Sequence, residues 1–236
     1  MRLLVLIFIF LNIHVLWAQN LNFPPQINLL QYLDQNINSA SVEQNVRKER
    51  IWGWSNNGKA AFSIKGCINS ETSYSIEFYI IDLITDNILY NIVIYSTSNN
   101  NFAVGEDLFN VNKEVFLEAF RKYNIIQQRI DILPLPLRRN NIVYNAQIIN
   151  IINGESERWN IPSILEYTVL VTANNKSKIL RKIIPYYYPV QLYICGYFLS
   201  PFENRIIIVM AEDLGGYLHG GILYEFIGCH LGVGFK

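Results

Sequence analysis

Residues 52–63 read W-G-W-S-N-N-G-K-A-A-F-S, a polar turn that lies between a pair of tryptophans and an apolar run. Asn57-Gly58 favours a tight hairpin turn, because both residue types tolerate backbone conformations that others avoid. Trp52 and Trp54 are two residues apart, so in a regular strand they would share one face. We expect that face to lie in the core. The stretch therefore predicts the opening turn of an antiparallel meander.

Strand-like segments recur after this turn, rich in β-branched and aromatic residues and separated by polar turns. Strands are predicted at 59–65, 74–83, 88–96, 142–152, 165–172, 178–184, 190–198 and 205–211, with a proline-containing edge strand at 130–137 and a hairpin turn at 173–176. One amphipathic helix is predicted over 112–123, with Asn112 as its N-cap. The consecutive apolar residues at 206–209 are typical of a strand buried on both faces.

The segment from Trp52 to Ser96 resembles one blade of a β-propeller of the Tol-type periplasmic or WD-repeat kind. Such blades open with a W-S-x-D-G-K-like turn, and 54–59 reads W-S-N-N-G-K, with Asn57 in place of the usual aspartate. A weaker copy begins at Phe198, roughly 145 residues later, whereas a propeller unit recurs about every 40 to 50 residues. The expected fold is mainly β, with antiparallel meanders arranged as propeller-like blades or as two sheets and one inserted helix.

The first 18 residues contain one cation, Arg2, then an apolar stretch and the small residue Ala18. This order is typical of a cleaved signal peptide, and the stretch is shorter than the roughly 20 apolar residues of a membrane span. We therefore predict a signal peptide at 1–18, an extended polar arm at 19–50 and a single β-rich domain at 51–236. The arm is expected to be the least ordered part of the mature chain. The expected location is the periplasm or the extracellular space.

Acidic and basic side chains balance, with 19 of each. A chain without net charge has no long-range attraction to nucleic acid or to anionic lipid. We therefore expect no nucleic-acid partner and no transmembrane helix in the mature chain. The partner is unknown, and another envelope protein is one candidate.

Three cysteines, Cys67, Cys195 and Cys229, would share the oxidising compartment that the leader implies. The pair Cys195 and Cys229 is the favoured disulfide, and three buried free thiols are the alternative. For a binding surface, the candidates are Tyr186, Tyr187 and Tyr188, which two prolines bracket.

Catalytic and metal-binding patterns are weak. His219 and His230 lack the spacing of metal ligands, and a hydrogen-bonded structural histidine is the better interpretation. Glu212 with Asp213 and Glu155 with Glu157 are close carboxylate pairs beside predicted turns, where solvated acids are ordinary. The chain carries neither a nucleophile elbow nor a phosphate-binding loop. We expect no cofactor, and we favour a protein without catalytic activity over a hydrolase with dispersed residues.

The C-terminal residues Ile227, Cys229, Leu231, Val233 and Phe235 alternate strictly with Gly228, His230, Gly232 and Gly234. This alternation resembles the closing strand of an outer-membrane β-barrel, apart from the final Lys236, and a small barrel is the alternative function. The sequence also resembles secreted bacterial proteins through an early W-G-W-S-x-x-G-K motif and a late F-I-G-C-H-L-x-V-G-F motif. This resemblance implies no activity. The expected function is an exported cell-envelope module with a binding or structural role.

Overall fold

The computed structural model describes residues 21–27, 29, 48–67, 74–96, 104–155, 162–183, 189–214 and 222–236. The chain is mainly β: of the described residues, 61% lie in strands and 11% in helices, and they form three antiparallel sheets and two helices. The predicted fold class is confirmed.

Sheet A is five-stranded, with the order β4-β3-β2-β1-β5. Its strands are β1 (Lys48–Trp54), β2 (Lys59–Cys67), β3 (Tyr74–Asp82), β4 (Asn87–Ser96) and β5 (Ile126–Gln127). The predicted opening turn is formed: the Ser55 hydroxyl accepts the backbone N–H of Lys59 at 2.9 Å, and Gly58 has a φ of +79°. Strands β1 to β4 are consecutive neighbours, so the predicted antiparallel meander is confirmed.

A β-bulge in β1 separates the two tryptophans. Ile51 pairs with Phe62 and Gly53 pairs with Ala61, which leaves Trp52 as the extra residue. Trp52 consequently packs on one face of sheet A and Trp54 on the other. Their predicted burial is confirmed, with exposures of 0% and 1%, but the prediction of a shared face was wrong. The bulge requires glycine, because a Cβ at Gly53 would lie 2.1 Å from the carbonyl oxygen of Ile126.

Two helices cover the Trp52 face of sheet A: α1 (Val104–Val111) and α2 (Lys113–Tyr123). α2 matches the predicted helix, whereas α1 is only eight residues long and was not predicted. Asn112 was expected to cap α2, but its side-chain amide donates to the carbonyl of Leu108 at 2.8 Å and so closes α1. Neither helix, nor any other in the described residues, has the length and apolarity needed to cross a membrane.

Sheet C is four-stranded, in the order β6-β7-β8-β9. Its strands are β6 (Leu137–Arg139), β7 (Ile142–Glu155), β8 (Pro162–Ala173) and β9 (Lys176–Ile183). The predicted turn between β8 and β9 is present. The predicted edge strand at 130–137 was wrong: within it only Leu133 forms a bridge, to Tyr197, before β6 begins. Pro134 and Pro136 lack the N–H groups that a continuous ladder needs.

Sheet B lies between the other two sheets, in the order β10-β11-β12. Its strands are β10 (Gln191–Leu199), β11 (Arg205–Asp213) and β12 (Ile222–His230). One face packs against sheet A through Phe198, Val209 and Phe226, and the other packs against sheet C through Ile208 and Ile227. Every residue of β11 from 205 to 212 is buried, which confirms the predicted two-sided core strand. The layers therefore run helices, sheet A, sheet B, sheet C.

Residues 21–27 and 29 and the residues after β12 also contribute to this stack. Leu21 and Leu29, from the predicted polar arm, are 1% and 2% exposed, and the Ile27 N–H donates to the Glu49 carbonyl at 3.0 Å. The predicted signal peptide and most of the arm lie outside the described residues. At the other end, the predicted alternation stops with β12 at His230, after which the chain turns and pairs the backbone of Lys236 with that of Ser177.

Candidate functional site

A buried hydrogen-bond network joins sheet B to sheet C. The hydroxyl of Tyr167, on β8, lies 3.0 Å from Oε1 of Glu212 on β11 and 3.1 Å from Oε2 of Glu225 on β12. Glu225 pairs with Met210, two residues before Glu212 in the antiparallel register. The two carboxyl groups are therefore diagonal neighbours on one face of sheet B, and Tyr167 reaches them from the facing sheet.

This geometry favours a shared proton. A tyrosine hydroxyl has one proton to donate, and an ionised carboxylate can only accept. Because both carboxyl groups lie within hydrogen-bond distance of the same hydroxyl, the arrangement is best satisfied when one of them is protonated and donates to it. The guanidinium of Arg181, on β9, binds Glu225 directly. Glu225 is therefore the ionised partner, and Glu212 is the neutral one.

The pKa directions agree with this assignment. Burial and, to a smaller extent, the charge of Glu225 raise the pKa of Glu212 to about 7, against the opposing effects of Tyr167 and Arg181. Burial also raises the pKa of Glu225, but here Arg181 and the Tyr167 hydrogen bond act against the rise. The pKa of Tyr167 is raised by burial and by both carboxyl groups, so its hydroxyl stays protonated.

Sheet A joins the network through Asp86, in the turn between β3 and β4. Its carboxylate lies 3.8 Å from Nε of Arg181 and accepts the backbone N–H of Gly228 at 3.0 Å. Burial raises the pKa of Asp86, opposed by that N–H and by Arg181. Gly228 permits the close approach, because a Cβ there would lie 2.2 Å from the carbonyl oxygen of Leu83. Asp86, Arg181, Glu225, Tyr167 and Glu212 thus connect all three sheets, and we call them the proton-sharing network.

A neutral carboxylic acid beside a carboxylate is the pairing that acid–base enzymes use. Here, however, Tyr167 is 0% and Glu212 is 6% exposed, because both lie in the contact between two packed sheets. The side chains of Glu225 and Arg181, in contrast, are 28% and 34% exposed. The arrangement can act as a pH-dependent tie between the layers.

The sequence-based interpretation of the carboxylates was wrong for Glu212. It does not lie solvated beside Asp213 but points into the contact with sheet C and is paired with Glu225. Glu155 is exposed, as expected, and Glu157 lies outside the described residues. Tyr167, Arg181 and Glu225 were not predicted. A usable signal was present, since Glu225 is a single acid inside the otherwise apolar strand I-L-Y-E-F-I-G-C.

The predicted disulfide between Cys195 and Cys229 is not formed, and both thiols are free and buried. Cys195 belongs to the cluster between sheets A and B, whereas Cys229 belongs to the cluster between sheets B and C. The two thiols therefore lie on opposite faces of sheet B. Burial raises the pKa of Cys195 to about 12 and also raises that of Cys229, so neither thiol is activated.

The remaining sequence candidates divide into two groups. His230 is hydrogen-bonded, as predicted: its Nδ1 accepts the N–H of Gly232 at 3.0 Å. His219 and the candidate binding residues Tyr186, Tyr187 and Tyr188 lie outside the described residues. Across the part of the chain that the structure describes, no group of three or more His, Cys, Asp or Glu side chains is arranged to hold a metal ion.

A second feature is a groove of about 570 Å³ beside strand β1, lined by residues 22–27, residues 127–132 and Ile51. Apart from Gln127, which ends β5, the residues of its two walls lie outside helices and strands. The N–H of Asn22 donates to Oε1 of Gln127 at 2.9 Å and ties the walls together. The guanidinium of Arg50 lies 4.3 Å from the centre of the Phe23 ring and donates to the Pro24 carbonyl.

The 127–132 wall is anchored at both ends. The N–H of Gln128 donates to the Trp52 carbonyl at 3.3 Å, and Leu133 forms its bridge with Tyr197. Between these anchors, Arg129, Ile130 and Asp131 make no backbone hydrogen bond to another described residue. Arg129 and Asp131 form an exposed ion pair at 3.6 Å, so this wall has no net charge.

No model of a known protein family matches this sequence, and no curated protein or solved structure matches it either.

Proposed function

We propose that this protein is an exported cell-envelope module without catalytic activity, which binds an extended segment of another polypeptide in the groove between residues 22–27 and 127–132. The observation that carries the proposal is the stretch of backbone at 129–131. Its N–H and C=O groups have no described backbone partner, although the segment is fixed on both sides. A fixed, extended chain with free backbone groups is what strand addition of a peptide requires.

The lining of the groove fits the same ligand class. Ile51, Ile130 and Ile132 provide apolar contact, and the side-chain amides of Gln26 and Gln128 can both donate and accept hydrogen bonds. A volume of about 570 Å³ lies within the usual range of ligand sites, about 300 to 1,000 Å³. Because Arg129 and Asp131, the charged residues among the described lining, neutralise each other, the groove favours an uncharged stretch of polypeptide over a phosphate or a polyanion.

Selection from a displayed library of linear peptides tests the binding site. We expect peptides that bind the mature chain in the micromolar range and that lose at least about tenfold in affinity to a Gln26→Arg, Gln128→Arg double variant, because the added charges and bulk fill the groove. The matched control is Gln147→Arg with Gln191→Arg, which adds the same charges at exposed positions on β7 and β10. Selected peptides that bind both double variants equally would place the site elsewhere.

Export is tested separately. A cleaved leader predicts a mature chain that starts at Gln19, two residues before the buried Leu21. We expect the intact mass of the protein recovered from the producing cell to correspond to residues 19–236, and fractionation to place it outside the cytoplasm. A full-length mass together with recovery from the cytoplasm would contradict export without bearing on the groove.

A further inference from the structure

Strand β4 is the outermost strand of sheet A, so one of its long edges has no neighbouring strand among the described residues. Its sequence, N-I-L-Y-N-I-V-I-Y-S, contains no charged residue and no proline over ten positions. Three of its apolar side chains face solvent: Ile88 is 61%, Val93 is 38% and Tyr95 is 63% exposed. An outer strand of this kind is a template for pairing with another strand.

The opposite end of the stack shows what a protected edge looks like in the same molecule. Strand β9 is the outermost strand of sheet C, and its edge is partly covered, because Ser177 and Lys236 exchange two backbone hydrogen bonds. Its sequence K-S-K-I-L-R-K-I also has four cations in eight residues, of which Arg181 binds Glu225 and Lys178 binds the carbonyls of His230 and Val233. Charged side chains, lysine above all, are the usual means of preventing strand pairing. Among the described residues, the edge of β4 has neither a covering strand nor charged side chains, so it is open to pairing with another strand.

From these observations we infer that β4 is a self-association surface, through which two copies of this chain pair antiparallel about a twofold axis. The two five-stranded sheets then become one continuous sheet of ten strands. The hydroxyl of Tyr123 already binds the carbonyl of Leu89, so the segment from Asn91 to Tyr95 is the part of the edge that pairs.

A second copy fits this edge better than a charged partner does. The pairing segment carries no charge, and the chain has 19 cations and 19 anions, so neither strands nor whole molecules repel each other. In a twofold antiparallel pair, opposite residues point to the same face of the sheet. The exposed row with Val93 and Tyr95 therefore meets its own copy, and the row with Ile92 and Ile94 does the same on the helix side.

One strand edge buries less area than a permanent dimer does, so we expect a dissociation constant on the order of 10 µM. Sedimentation velocity of the mature chain from about 2 to about 200 µM should then show a monomer–dimer equilibrium. Val93→Lys should weaken it at least about tenfold, because it brings like charges together near the axis. Ile179→Lys, the same kind of change at a 60% exposed position on β9, should leave it unchanged.

A charge swap makes the test specific. Val93→Lys alone and Val93→Glu alone should both associate at least about tenfold more weakly than the wild type, whereas an equimolar mixture should associate again, because opposite charges then face each other across the axis. Since restored association requires folded proteins, the mixture also controls for misfolding. A wild-type chain that stays monomeric over the whole range, or a mixture that does not associate, would overturn the inference. Neither result bears on the groove, which lies beside β1.

Discussion

Replacing Trp52 by alanine is expected to lower the free energy of unfolding by about 4 kcal/mol. Trp52 is 0% exposed, its ring is stacked 5.2 Å from that of Phe116, and its Nε1 donates to the Ser63 hydroxyl at 2.9 Å. The substitution therefore empties the contact between sheet A and both helices and leaves a buried hydroxyl without its donor. Chemical denaturation with tryptophan-independent detection, such as far-ultraviolet circular dichroism, measures the loss.

Phe202 is the matched control, because it is an aromatic residue that is 41% exposed in the turn between β10 and β11. Phe202→Ala should cost less than about 1 kcal/mol. If Trp52→Ala cost as little as Phe202→Ala, Trp52 would not hold the helices on the sheet, and the layer order would need revision.

The second large effect is a dependence of stability on pH that arises from Glu212. The ordinary pKa of a glutamate is 4.5, and in the folded chain that of Glu212 rises to about 7. Between these values the unfolded chain releases the proton while the folded chain keeps it. The stability that Glu212 contributes is therefore greatest below pH 4.5, and it falls by about 3 kcal/mol as the pH rises to about 7. Glu225 and Asp86, whose pKa values are also raised, act in the same direction.

Glu212→Gln isolates this contribution, because its amide can donate to the Tyr167 hydroxyl as the protonated acid does and cannot ionise. We expect the variant to match the wild type near pH 4.5 and to exceed its stability at pH 8, by about 3 kcal/mol at most. Glu155→Gln, at an exposed position, should follow the wild type at every pH. Burial lowers the pKa of His230, which makes stability rise with pH. The wild type and the variant share this contribution, so it cancels in the difference between their stabilities. A wild type and a Glu212→Gln variant with parallel pH profiles would contradict the shared proton.

Local sequence signals predicted most of the strands and one of the two helices. Three features depend only on residues that are close in sequence and could therefore be predicted: the turn at Asn57-Gly58, the apolar run of β11 and the amphipathic face of α2. The opposite faces of Trp52 and Trp54 were not, because the bulge at Gly53 depends on the close approach of Ile126, which is distant in sequence. The order of the sheets was hidden for the same reason: sheet B is last in the chain and central in space.

The site was less predictable than the fold. The proton-sharing network draws its residues from four strands and a turn, and their pairing depends on how three sheets pack. The groove depends on residues 22–27 lying against residues 127–132, about 100 positions away in the chain. The spacing of these residues in the sequence predicts neither arrangement, although the lone acid within β12 indicated one member of the network.

The most direct test of the proposed function is amide hydrogen exchange of the mature chain with and without a saturating selected peptide. If the peptide adds to the free backbone of the groove, exchange at one or more of Arg129, Ile130 and Asp131 should slow at least about tenfold. Exchange at Arg181 and Glu225, in the proton-sharing network, should not change. Unchanged exchange at 129–131 in the presence of bound peptide would contradict the proposed binding site.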